Sequence, residues 1–172
     1  MWGDNVEEHL VLAERQLQRV RAAVGQGGLE YFDLQEEFVG VGIAVSSGQH
    51  DYVILSIFSG GEAQLLVTTG ILHSIEQNQL AALEAANHLT QNHPSTPAFL
   101  HTAPAGWALL LQVAWPIELL LENPGLLIGW VRHLPVVAAD HRALVRERWD
   151  IGGRPWEWTA EQVRELLVRS MA

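Results

Sequence analysis

The chain of 172 residues has no cysteine, which removes disulfide frameworks, thiolate nucleophiles and cysteine-based zinc sites together. It also has no lysine, so all ten of its basic residues are arginine, against twenty acidic ones. The resulting net charge of −10 argues against general nucleic-acid binding, because neutralising phosphates supplies most of that affinity. Arg15 with Arg19, and Arg142 with Arg146, share helix faces at i,i+4 spacing, and surface pairing with the interspersed glutamates accounts for them. MWGDNVEEHL at the N-terminus has neither a basic nor an apolar signal region, so a cytoplasmic protein is expected.

Catalytic signatures are equally scarce. There is no GxSxG, no HExxH, no GK[ST] phosphate loop and no GxGxxG between a strand and a helix. Eight histidines invite a metal reading, but His88 and His93 are five apart, and Pro135 separates His133 from His141. Neither pair has the spacing of a known ligand set. His50-Asp51 falls where a turn is expected, and Asp140-His141 would be half a triad without its serine. No catalytic, cofactor-binding or metal-ligating residue is therefore assigned.

One long apolar run is present, WALLLQVAWPIELLLENPGLLIGW at 107–130. It is long enough for a membrane span. Glu118 falls near its middle, however, and a charge there costs about 2.5–3.5 kcal/mol while each leucine returns only about 0.3–0.6. The alternation of bulky Trp107, Leu109, Leu111, Val113 and Trp115 with lighter even positions predicts a strand. Asn123-Pro124 predicts a helix start, with asparagine capping the free amides. The run reads as a strand, a connection and a helix.

The rest of the chain follows the same rules. Asp4–Val24 is expected to be a helix, with Asp4 and Glu7 as a capping box, an apolar stripe through Leu10, Ala13, Leu17 and Val20, and GQGG as its stop. FVGVGIAVSS, YVILSIFS and AQLLVTTGIL are expected as three antiparallel strands, with a hairpin at SGGE. In the first, the small face of Gly40, Gly42 and Ala44 is expected to admit a close neighbour. The second is expected to be covered on both faces. NQLAALEAANHLTQN predicts a helix with Leu80, Leu83, Ala86, Asn87 and Thr90 on one face. AFLHT predicts a short strand, and Pro135 is expected to kink or split the long helix after Pro124. IGGRPWEW at 151–158 reads as a linker, followed by a short amphipathic helix capped by Thr159 and running to Ala172. The fold class expected is α+β, with an antiparallel sheet of about five strands, flanking helices and the order α-βββ-α-ββ-α. One domain spans 1–150, and residues 151–172 add a linker and a C-terminal helix.

Seven tryptophans form the remaining excess. Trp156 and Trp158 lie beside Arg154 in the expected linker, the composition of an interaction hot spot.

This order of elements resembles the fold of type III secretion chaperones, and is closer to the YbjN-like family. The resemblance is carried by VGIAVSS, YVILSIFS, AQLLVTTGIL, LAALEAANHLT and the strand-to-helix passage from Trp107 to Leu144, with Val136-Val137-Ala138-Ala139-Asp140 near its end. It covers roughly residues 5–149, and the segment from Ile151 departs from it. The resemblance implies a non-enzymatic protein-binding module, chaperone-like or a regulatory adaptor. Such a module is commonly a homodimer and holds a client protein on apolar surface. Candidate partner-binding residues are Trp107, Leu109, Leu111, Trp115, Trp156 and Trp158. A small-molecule or metal-dependent enzyme or sensor is the alternative, and requires at least three of His73, His88, His93, His101, His133 and His141 to converge. Peripheral membrane association through the tryptophan-rich tail is a third possibility, which the net charge opposes at anionic lipid.

Overall fold

The structure is a computed structural model in which residues 3–34, 42–48, 52–60, 62–103 and 106–155 are described. It is an α+β fold: an antiparallel sheet with helices against one face. The first helix, α1 (Gly3–Gln26), runs slightly past its expected end. Leu29 then returns its amide to the Val24 carbonyl at 3.2 Å, and Gly28 takes the left-handed φ of +74° that closes the turn.

A strand not expected from the sequence follows, β1 (Tyr31–Leu34), and pairs with β2 (Gly42–Ser46). The meander continues through β3 (Tyr52–Gly60) and the long β4 (Glu62–Ile75). Helix α2 (Gln79–Asn92) leads to β5 (Ala98–Ala103) and β6 (Gly106–Pro116). The sheet order is β1-β2-β3-β4-β6-β5, so the strand predicted inside the long apolar run is an interior strand, flanked by β4 and the edge strand β5.

The apolar run then turns into two helices. The expected connection is itself helical, α3 (Ile117–Glu122), with Ile117 and Leu120 buried. Asn123 stands at the N-cap of the next helix, as expected, but its side chain makes no capping bond there; its amide donates to the Leu119 carbonyl at 2.9 Å and closes α3 instead. Helix α4 (Pro124–Arg148) then runs unbroken through Pro135, which is buried. Proline removes one backbone bond there, and packing on the sheet holds the helix together across the gap.

All four helices supply side chains to one core on one face of the sheet, among them Leu17, Leu89, Leu120 and Leu127 over Leu55, Leu65, Leu109 and Leu111. Helix α4 lies on β4, where the Arg142 guanidinium donates to the Ile71 carbonyl at 2.7 Å. Helix α1 packs on β3, and α2 on β5. Two expectations reverse here. In β2 the bulky Ile43 and Val45 meet the helices, and the small face with Gly42 and Ala44 turns away. In α2 the alanines and Leu89 face inward, while Leu80 and Leu83 are exposed. Small side chains let α2 sit close to β5, an advantage that leucines would remove. Thr90 fixes the approach by bonding both the amide and the carbonyl of Ala98.

The segment after α4 is tied to the sheet. Ile151 is buried, the Asn78 side chain donates to the Asp150 carbonyl, and β7 (Arg154–Pro155) pairs with His73 and Leu72 of β4. Gly152 and Gly153 both take left-handed φ values, +72° and +81°. A Cβ at Gly153 would stand 3.0 Å from the His73 carbonyl oxygen, so this turn needs glycine on both counts. Among the described residues, no helix is long and apolar enough to cross a membrane.

Candidate interaction surface

The sheet has a second face, and its composition follows from the strand register. Phe32, Ala44, Ile54, Thr68 and Gln112 form one row across β1, β2, β3, β4 and β6. Leu34, Gly42, Ser56, Leu66 and Ala114 form the next. Side chains alternate faces along a strand, so these rows point away from the helices. A second, smaller apolar cluster lies there, with Leu34, Ala44, Ala108 and Leu110 at its centre and Phe32, Tyr52, Ile54 and Phe99 around it. Phe32 and Tyr52 meet edge to face, with ring centroids 5.4 Å apart. No described helix covers this face, so YVILSIFS has only one helix-covered side.

The face is mostly apolar, with Thr68, Gln112 and Ser56 in its rows and Gln64 and His101 toward its margins. Gln112 donates to the Thr68 hydroxyl at 3.0 Å, and this cross-strand bond satisfies part of both side chains within the row. Phe58 lies at the rim and is 56% exposed. An apolar surface of this kind, with aromatic rings and a hydrogen-bonded amide, has the composition of a protein-binding patch.

The residues singled out in the sequence lie elsewhere. Leu109 and Leu111 are fully buried beneath the helices. Trp107 and Trp115 are partly buried against the same core, with Trp115 6.0 Å from Trp130. The bulky side of the strand turned inward, which corrects the expectation that Leu109 and Leu111 offer surface to a partner. Trp156 and Trp158 lie outside the described residues. On the second face, Ile54, Leu66 and Leu110 are the apolar residues that the sequence reading did not single out. Their signal was the near-continuous apolar character of YVILSIFS and of WALLLQVAW, which marks strands apolar on both sides.

The histidines do not gather. The His93 and His141 rings lie 4.7 Å apart, tilted by 44°, and His88 lies 5.3 Å from Trp149 while accepting from Arg148 at 3.0 Å. His133 lies beside Trp130, His73 contacts the Ser74 hydroxyl, and His101 is exposed on β5. Among the described residues, no group of three or more side chains is placed to hold a metal ion. His141 is buried on α4, and its Nε2 has no hydrogen-bond partner. Burial, and then the neighbouring His93, hold its pKa below the usual value, with Asp140 opposing.

Compared with models of known protein families and with curated proteins, the chain matches none.

Proposed function

We infer that the protein is a non-enzymatic, chaperone-like binding module, working in the manner that its resemblance to the YbjN-like family and the type III secretion chaperones implies. It holds a segment of another protein on the second face of its sheet and associates as a homodimer. The observation that carries this reading is the apolar cluster of Phe32, Ile54, Leu110 and their neighbours on a face that no described helix covers. A partner covering what this face leaves exposed would be favoured, since apolar area removed from water returns roughly 25 cal/mol per Å².

The test uses an unfolding client of no particular identity. The protein should suppress aggregation of heat-denatured citrate synthase, and Phe58→Asp should weaken that suppression because a rim charge is introduced beside the face. Light scattering at micromolar concentration should report a dimer. A strictly monomeric protein with no effect on aggregation would overturn the reading.

A further inference from the structure

The centre of the open face is dry although no described element lies over it. Ala44, Ala108, Leu34 and Leu110 are 0%, 3%, 8% and 9% exposed, whereas Phe58 at the rim is 56% exposed. Phe32, Tyr52 and Phe99 shield this centre from the sides, but a single layer of side chains does not exclude water from above. The short segment between Leu34 and Gly42 joins paired residues of β1 and β2, and Leu110 lies three strands beyond β2.

The path of the chain points to a different segment. Strand β7 lies beside β4 in the same row that β3 occupies, with Pro155 opposite Leu72. Strand β3 begins at Tyr52, and its register places Ile54 opposite Thr68. A chain continuing along β4 beyond Pro155 would therefore run into the start of β3 within about two residues. It has to leave the plane of the sheet. On one side α4 is packed on β4 and α1 on β3, so the exit lies toward the open face.

The sequence beyond that exit matches the surface it meets. Residues 156–172, WEWTAEQVRELLVRSMA, begin with two tryptophans. They then place Val163, Leu166, Leu167 and Met171 at the i, i+3, i+4, i+8 spacing of one helix stripe, with Glu161, Arg164, Glu165 and Arg169 between. A helix from Thr159 to Ala172 would be roughly 20 Å long. Six strands at about 4.8 Å spacing span a similar width.

We propose that residues 156–172 dock on the open face of their own chain, laying this apolar stripe across Ile54, Leu66 and Leu110. The consequence for function rests on the protein-binding reading above: a client has to displace the tail, which makes it a built-in competitor. Docking itself does not depend on that reading.

The absence of cysteine makes a direct test available. An Arg164→Cys variant of the full chain, carrying a nitroxide on its single thiol, is combined with methyl NMR spectra. Methyls of Ile54, Leu66 and Leu110 should lose most of their intensity, and those of Leu80, Leu83 and Val136 on the outer helix surface should keep theirs. The pattern should persist when the labelled protein is diluted with unlabelled chain. Broadening that is greater on the helix side, or that is unselective, overturns the proposal, and so does broadening lost on dilution, which assigns the tail to a second copy. Trp156→Ala/Trp158→Ala should then suppress citrate synthase aggregation at a several-fold lower concentration than the unchanged protein. If the methyl pattern holds and neither protein suppresses aggregation, docking stands and the chaperone-like reading falls.

Discussion

Leu110 and Leu111 are adjacent in β6 and point to opposite sides of the sheet. Leu111 is fully buried in the main core, under side chains from the helices, and Leu110 is 9% exposed in a smaller cluster that no described helix covers. The same residue type, one position apart, thus meets two kinds of packing. Under the helices, a second layer with its own backbone packs on the sheet. On the other side, the layer consists of a few aromatic rings and whatever the rest of the chain or a partner supplies. A sheet that is apolar on both sides thus builds its main core on one side and only a smaller cluster on the other.

The largest expected effect tests that division directly. Leu111→Ala should cost about 3 kcal/mol, within the roughly 2–5 kcal/mol seen for buried leucine truncations, because the helices cannot collapse onto the gap. Leu110→Ala should cost only roughly 1–2 kcal/mol, since its surroundings can relax. Urea unfolding of both variants gives the comparison, and equal losses would erase the distinction between the faces. Repeating Leu110→Ala in the Trp156→Ala/Trp158→Ala background sharpens it: a coupling above about 0.5 kcal/mol places the tail over Leu110.

An intermediate effect should come from the covered side. His141 is buried beside His93 and lies below its usual pKa, chiefly because of burial. His73, on β4, is lowered for the same main reason, with Arg154 and Arg142 adding to the shift and the Pro155 carbonyl opposing it. A histidine depressed in the folded state binds its proton more readily when unfolded. Stability is therefore intact above the ordinary value of 6.5 and is lost as pH falls below it toward the folded value. The urea midpoint should drop between about pH 7.5 and about pH 5.5, and His141→Gln should flatten part of that drop, leaving the contribution of His73. An unchanged slope in the variant would mean that His141 titrates normally.

The parts of this fold that were legible in the sequence are those with long periodic patterns. The first helix, the three-strand block, the helix before β5, the strand within the apolar run and the long final helix all lie where their periodicity put them. Glu118 argued against a membrane span, and no described helix is long and apolar enough to be one. Of the short elements, AFLHT was legible as β5, but β1 with four residues, β7 with two and α3 with six were not, because tertiary pairing decides such pieces more than their own propensity does. Alternation also says that a strand has two faces without saying which one receives the helices. That is why Leu109 and Leu111 were read as surface and why the face of Ile54 and Leu110 went unremarked. The inward alanines of α2 follow the same logic, since the closeness of approach is a property of the partner surface.

The smallest effect is expected where the geometry looks most persuasive. Arg19 of α1 grips Glu118 of α3 with two hydrogen bonds, at 2.7 and 3.1 Å. This contact raises the arginine and holds the Glu118 carboxyl below its usual range, the hydrogen bond being the main cause for each. Both side chains are more than half exposed, so water already solvates them well and salt screens what remains. The pair lies on the outer surface of the helix layer, above a core that Leu17, Ile117 and Leu120 hold without it. Glu118→Gln should therefore leave the urea midpoint at neutral pH within experimental error of the unchanged protein. A measurable fall would show that α3 is held to α1 by its charge as well as by its leucines, and the helix-covered face would then be less self-sufficient than the packing indicates.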